Sequence, residues 1–248
     1  MHEDVAKEVS DVYGLVMTVV AVLLALVATG LCIKAGYLKK LLVKWGLKTP
    51  VAKIDWTASS WESCLLKMGA RADVVFFGDS ITRGGNFHQQ FPNTTIVNLG
   101  SSGDTLHGML RRVSTVQLLN PQKVFFLGGI NGLTDHNGKV CIKTYEKVVD
   151  ALQAALPEAT IYLHSVLPVA KKRERGLCKN TTIAAFNQEI EKLAQRKGLV
   201  YIDLYHRYLL DGSLNPIYPK EDGLHLLPES YALWYEAITS YMNVDMKV

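Results

Sequence analysis

Val74-Val75-Phe76-Phe77-Gly78-Asp79-Ser80-Ile81-Thr82-Arg83-Gly84-Gly85 joins four apolar residues to a turn of small and polar ones. A short apolar run without alternation fits a strand covered on both faces, as in parallel sheets. Runs of the same kind recur at 95–98, 123–127, 160–163 and 200–202, with 74–77 as the first. Helix-length segments at 59–70, 105–115, 140–156, 183–197 and 228–242 lie between and around them. This alternation predicts a three-layer α/β/α sandwich built on a five-stranded, mainly parallel sheet. Open sheets of this class hold ligands beyond the carboxyl ends of their strands, so chemistry is expected in the loops that follow the runs.

The chain has 248 residues, 48% apolar and 20% charged, enough for one full-sized core and unlike a disordered or collagenous composition. A net charge of +4, with no basic stripe interleaved with aromatics, gives no sign of a nucleic-acid partner. Residues 12–33 carry no formal charge, and about 20 apolar residues cross a bilayer. The acidic start, with Glu3, Asp4, Glu8 and Asp11, differs from a cleaved leader. The expected organisation is an N-terminal tail at 1–11, a transmembrane helix at 12–33, a juxtamembrane connector at 34–58 and a catalytic domain at 59–248. Lys34, Lys39, Lys40, Lys44 and Lys48 after the span favour a cytoplasmic domain by the positive-inside rule. The sequons Asn93-Thr94-Thr95 and Asn180-Thr181-Thr182 point the other way. Cys32, Cys64, Cys141 and Cys178 have neither C-x-x-C nor metal-ligand spacing, so no metal and no cofactor is expected.

The loop after the first run sets Ser80 on a strand-to-helix turn, where Gly78 permits a tight bend and helix-start N–H groups face an anion. Asp79 or Ser80 equally fits a simple helix cap. The second run leads to Gly100-Ser101-Ser102-Gly103-Asp104-Thr105, whose glycines allow close backbone approach, while Asp104 or Thr105 also fits an N-cap. The third run ends in Gly128-Gly129-Ile130-Asn131-Gly132, an amide donor or a left-handed turn residue. Near the end, Asp222-Gly223-Leu224-His225 puts a carboxylate three residues before an imidazole, close enough to accept from one ring nitrogen and leave the other to take a serine proton. Lys171, Lys172, Arg173, Glu174 and Arg175 follow the fourth run. A solvated loop is the ordinary explanation of such a run, and a flank for an anionic substrate is the other. His88, His107, His136, His164 and His206 read as structural or surface residues.

These blocks together resemble the SGNH hydrolase superfamily, the GDSL esterase/lipase family, over 74–241 and in the family's order. The resemblance implies a flavodoxin-like hydrolase fold, with Ser80 as nucleophile and His225 and Asp222 completing a triad. It also implies an oxyanion hole from the Ser80 and Gly103 N–H groups and the Asn131 amide. Gly100 rivals Gly103, and Gly132 stands where the family has an aspartate, which bears on how firmly the Asn131 loop is held. The expected activity is hydrolysis of acetyl or other short acyl esters of a glycan or lipid, with the oligomeric state open. A catalytically silent glycan- or lipid-binding relative is the alternative. No G-x-G-x-x-G or G-x-x-x-x-G-K-[ST] follows a run, which argues against a nucleotide-binding protein.

Overall fold

A computed structural model of the chain describes residues 71–133, 138–174 and 178–243. The expected tail, membrane span and connector, and the helix at 59–70, lie outside the described residues. Among the described residues no helix is long and apolar enough to cross a membrane.

Strands β1 (Val74–Gly78), β2 (Ile96–Gly100), β3 (Lys123–Leu127), β4 (Thr160–His164) and β5 (Val200–Ile202) form one sheet in the order β2-β1-β3-β4-β5. Every pairing in it is parallel, so all five carboxyl ends share one edge. The chain passes from β1 outward to β2 and then crosses to β3 on the other side of β1. The end of β1 is therefore the switch point where an open α/β sheet leaves a crevice. β1 is buried throughout, which is why its sequence is continuously apolar rather than alternating.

Period-two alternation sends successive side chains to opposite layers. On one face Phe76 stacks on Phe125 at 4.9 Å, Phe125 on Tyr162 at 4.5 Å, and Phe87 of helix α2 (Phe87–Gln90) covers Phe76. On the other, Phe126 meets Tyr145 of α5 (Gly138–Ala155), which meets Phe186 of α6 (Asn180–Lys197) edge-on. The helices belong to this fold because their apolar residues form stripes, such as Ile183, Phe186, Ile190 and Leu193 on α6. α3 (Leu106–Leu119) starts at Thr105, whose hydroxyl accepts from the Gly108 N–H, and stops at the left-handed Asn120.

Three further four-residue helices, α1 (Ser80–Arg83), α4 (Ile130–Leu133) and α7 (Tyr205–Tyr208), and a two-strand ribbon of β6 (Leu209–Leu210) and β7 (Ser213–Leu214), have, like α2, no periodic signal in the sequence. The expected helix at 228–242 is divided into a 3-10 turn, Pro228–Tyr231, the short α8 (Ala232–Ile238) and a second 3-10 turn, Thr239–Tyr241. The Ser230 N–H donates to Leu227 and its carbonyl accepts the Tyr208 hydroxyl at 2.8 Å, so tertiary contacts tighten the first turn.

His164, at the end of β4, is a core residue as expected: it stacks on Phe125 and meets Trp234 edge-on, with neither ring nitrogen bonded among the described residues. Burial lowers its pKa to about 3. A base that titrates lower when folded than unfolded loses stability as pH falls between the two values. In His164→Phe the loss of stability from about pH 7 to about pH 4, followed by urea unfolding, should be roughly 3 kcal/mol smaller than in the parent protein.

Candidate active site

β1 delivers Gly78-Asp79-Ser80 to the carboxyl edge, where Ser80 is the first residue of α1. Asp79 Oδ1 accepts from the Ile81 N–H at 2.9 Å, so Asp79 is the cap and the neighbouring Ser80 is left free of that role. As first residue of the helix, Ser80 presents an N–H that the helix itself does not use. α1 is pinned from above and below. The Tyr231 hydroxyl donates to Ile81 at 2.6 Å, and the Asn98 amide donates to the carbonyls of Thr82 and Gly85. A side chain at Gly78 would run into Thr82 and the Leu127 carbonyl, so this glycine is required by close packing.

The Ser80 hydroxyl lies 2.8 Å from His225 Nε2, and His225 Nδ1 is hydrogen-bonded to Asp222 Oδ2. The other carboxylate oxygen of Asp222 accepts the N–H groups of Leu224 and His225, both at 3.0 Å. Partial burial pushes the Asp222 pKa up, but the bonds from the His225 ring and from these two N–H groups outweigh it and hold the carboxyl at about 2. An ionised Asp222 accepts only, which assigns the ring proton to Nδ1 and leaves Nε2 to accept from Ser80. The loop is closed by the Lys220 N–H donating to the His225 carbonyl at 2.7 Å and by a bridge between Pro219 and Leu226. Gly223 takes φ +70° at its tip.

A second Asp-x-x-His, Asp203 to His206, forms the same local pair, with Nδ1 at 2.5 Å from the carboxylate. It does not meet a serine nucleophile: Ser165, which donates to Asp203, is fully buried and accepts the N–H groups of Leu204 and Tyr205. His206 stays a surface residue, as expected.

Gly103 has φ +71° with open space around it, so conformation rather than crowding demands glycine there. Gly100 has a different task, since its N–H donates to Asn98 and a side chain on it would strike the Arg83 backbone. Thr105, not Asp104, is the cap. Asp104 instead forms a nearly buried ion pair with Arg112 of α3 at 2.6 Å. Arg112 also donates to the carbonyls of Leu99 at 3.0 Å and Gly78 at 3.4 Å, and lies over the Phe77 ring.

Asn131 is helical in α4 and not left-handed; Gly129, at φ +126°, takes the strained position. The Asn131 amide donates to the Asp104 carbonyl at 2.8 Å. The N–H groups of Gly132 and Leu133 donate to the Gly129 carbonyl, so the backbone holds this loop without a side chain at 132. Burial pushes the Asp79 pKa to about 7, opposed by its bond to Ile81, reinforced by nearby Asp104 and opposed again by His225. The structure thus joins Ser80, Asp222 and His225 in one relay and ties Asn131 to the loop of Gly103.

A cavity of about 480 Å³ opens beside the relay, lined by Ile130, Asn131, Lys172, Arg173, Cys178, Glu221, Asp222 and Leu224. Lys172 and Arg173, in the run whose ordinary explanation is a solvated loop, are therefore wall residues; periodicity carried no signal for this. Asn180 departs from its sequon: it is buried, and its amide exchanges two 2.8 Å bonds with the Val169 backbone, so a glycan has no access to its nitrogen. Asn93 is exposed. Among the described residues no group of three His, Cys, Asp or Glu side chains could hold a metal ion.

The profile of the GDSL-like lipase/acylhydrolase family matches residues 76–233. The chain belongs to that family. Solved structures similar to this GDSL-family chain include a GDSL-like lipase from Bacteroides thetaiotaomicron, at 24% identity and TM-score 0.62, over 74% of this chain and 94% of the other. A lipase/acylhydrolase from Enterococcus faecalis matches at 22% identity and TM-score 0.57, over 70% and 98% of the two chains. An acetyl xylan esterase matches at 21% identity and TM-score 0.58, over 68% and 99%. At these identities the likeness is one of fold. No curated protein matches the chain in sequence.

The Arg112–Asp104 pair yields a test of how the GDSL-family site is held. Arg112→Leu should destabilise the protein by roughly 3–5 kcal/mol in urea unfolding, because it leaves Asp104 buried and unpaired. Adding Asp104→Asn should recover part of that loss, and simple additivity of the two changes would count against the pair.

Proposed function

We propose that the protein is a serine ester hydrolase acting on short acyl or acetyl esters of a glycan or lipid. The observation that carries this is the continuous relay from the Ser80 hydroxyl through His225 to Asp222. Membership of an acylhydrolase family supports it.

In the proposed reaction His225 Nε2 takes the Ser80 proton as Oγ bonds to the ester carbonyl carbon, and the ionised Asp222 stabilises the imidazolium. The carbonyl oxygen becomes an oxyanion received by the N–H groups of Ser80 and Gly103 and by the Asn131 amide. The tetrahedral intermediate collapses with loss of the alcohol, which takes the proton from His225. Water then gives its proton to His225, attacks the acyl-serine and releases the acid, restoring Ser80.

Asp222 and His225 are partly exposed, with side-chain exposures of 43% and 35%, so solvent screens the pair and orientation is its main contribution. The roomy cavity beside the relay leaves space for an alcohol or acyl portion larger than acetyl. A span at 12–33 would hold this hydrolase at a bilayer, where lipid or envelope esters are at hand. The lysines after it support a cytoplasmic face, and burial of Asn180 removes one of two sequons weighed against that.

The relay weighs against a silent binding protein. With 4-nitrophenyl acetate, butyrate and octanoate, Ser80→Ala should abolish turnover, and a fluorophosphonate should label Ser80 alone. Asn131→Ala should retain activity but lower kcat by about 10²–10³-fold, the usual effect of one oxyanion donor. No turnover and no label in folded protein would transfer the case to the binding reading.

A further inference from the structure

The cavity wall formed by the loop after β4 carries charge that the acyl-transfer mechanism does not use. This loop is held firmly. Asn180 exchanges two hydrogen bonds with the Val169 backbone, and Asn187 does the same with Val166 at 2.8 and 2.9 Å. The Ala170 N–H donates to the Gly223 carbonyl at 2.9 Å, which ties the loop to the Asp222–His225 turn. The stem of Lys172 packs over Gly223, within 3.5 Å of where a Cβ would stand.

The charges of the loop's described residues divide into two groups. Lys171 pairs with Glu174 at 3.2 Å, and Glu174 also accepts the Asn180 N–H at the start of α6. Lys172 and Arg173 line the cavity and have no carboxylate partner within ion-pair distance among the described residues. Burial pushes the Cys178 thiol up, opposed by the positive charge of Arg173 and reinforced by the negative charge of Glu174. Two carboxylates face these cations. Asp222 is engaged by His225 and two N–H groups, and Glu221 is the other carboxylate of the lining among the described residues. The formal charges of the described lining therefore balance, with both cations on the wall of the loop after β4 and neither held there in an ion pair with a described residue.

We propose that Lys172 and Arg173 form an anion subsite in the cavity that Asn131 and Asp222 also line, so that the preferred esters carry a carboxylate or phosphate on the portion filling the cavity. The identity of the reaction rests on the esterase reading above; the subsite itself does not. An anion held by both groups replaces water with charge-assisted hydrogen bonds, and the preference should weaken as salt screens the exposed ends of the side chains.

The test compares kcat/KM for two matched ester pairs in the full chain: 4-nitrophenyl valerate against mono-4-nitrophenyl glutarate, and methyl 4-acetoxybenzoate against 4-acetoxybenzoate. At low salt at least one anionic ester should be favoured about tenfold, or about 1.4 kcal/mol. The responding pair shows whether the anion belongs to the acyl or the alcohol side. Lys172→Glu/Arg173→Glu should reverse the preference. Arg173→Ala, which leaves the Lys172 packing on Gly223 intact, should reduce it. Equal rates within both pairs, or a preference unchanged in both variants, would overturn the subsite.

Phenyl phosphate binding, measured by calorimetry, separates the two proposals. Binding by the parent chain that is lost in the double variant, without turnover of any ester, would sink the esterase and keep the subsite. Turnover with no anion preference and no binding would sink the subsite alone.

Discussion

The Arg112–Asp104 pair is the constraint around which the site is organised. A guanidinium has donors in a rigid fork, so one side chain can fix several backbone segments at once. Arg112 holds the Gly78 carbonyl at the end of β1, the Leu99 carbonyl near the end of β2 and the Asp104 carboxylate beyond it. The Asp104 carbonyl in turn receives the Asn131 amide from the end of β3. Three loops that a parallel sheet only brings near one another are thereby set in mutual register. The cost is a buried charge, compensated by the ion pair and by the Phe77 ring beneath the guanidinium.

Polar groups elsewhere in the site share this economy of parts. Asp79 caps α1 with one oxygen while the other is buried without a hydrogen-bond partner among the described residues, and its raised pKa reflects that burial and the nearby Asp104. Asp222 is the opposite case, a carboxylate kept ionised by a ring N–H and two backbone N–H groups. Two carboxyls in one site thus differ in character because one is desolvated without enough donors and the other is well supplied.

The relay depends equally on a loop remote in sequence. Asp-x-x-His is a local device, in which the carboxylate caps the following N–H groups and so presents the imidazole. The pair at Asp203 and His206 shows that the device forms locally without bringing the imidazole to a serine hydroxyl. What distinguishes His225 is that its loop is bridged through Pro219 and Leu226 and fastened to the loop after β4, so that the imidazole reaches Ser80 across 145 residues of sequence.

Residue pattern by itself determined the parallel sheet and the edge at which a ligand site is to be sought. The five buried runs could satisfy their backbone groups only by pairing in a sheet covered on both sides, and loops after such strands converge on one edge. Ser80, Gly103, Asn131, Asp222 and His225 could be singled out because they follow a recurring family order, the first three in loops after buried runs and the last two in a loop before the final helical segment. Tertiary structure decided what has no local signature: the rejection of His206, the assignment of Gly100 to packing and Gly103 to a positive φ, and the burial of Asn180. It also decided that Arg112 reaches the ends of β1 and β2 and the loop beyond, and that the exposed Lys172 and Arg173 line a cavity. Short-range sequence encodes periodicity and turn chemistry, whereas the partner of a long side chain is set by which distant segments the sheet brings within its reach.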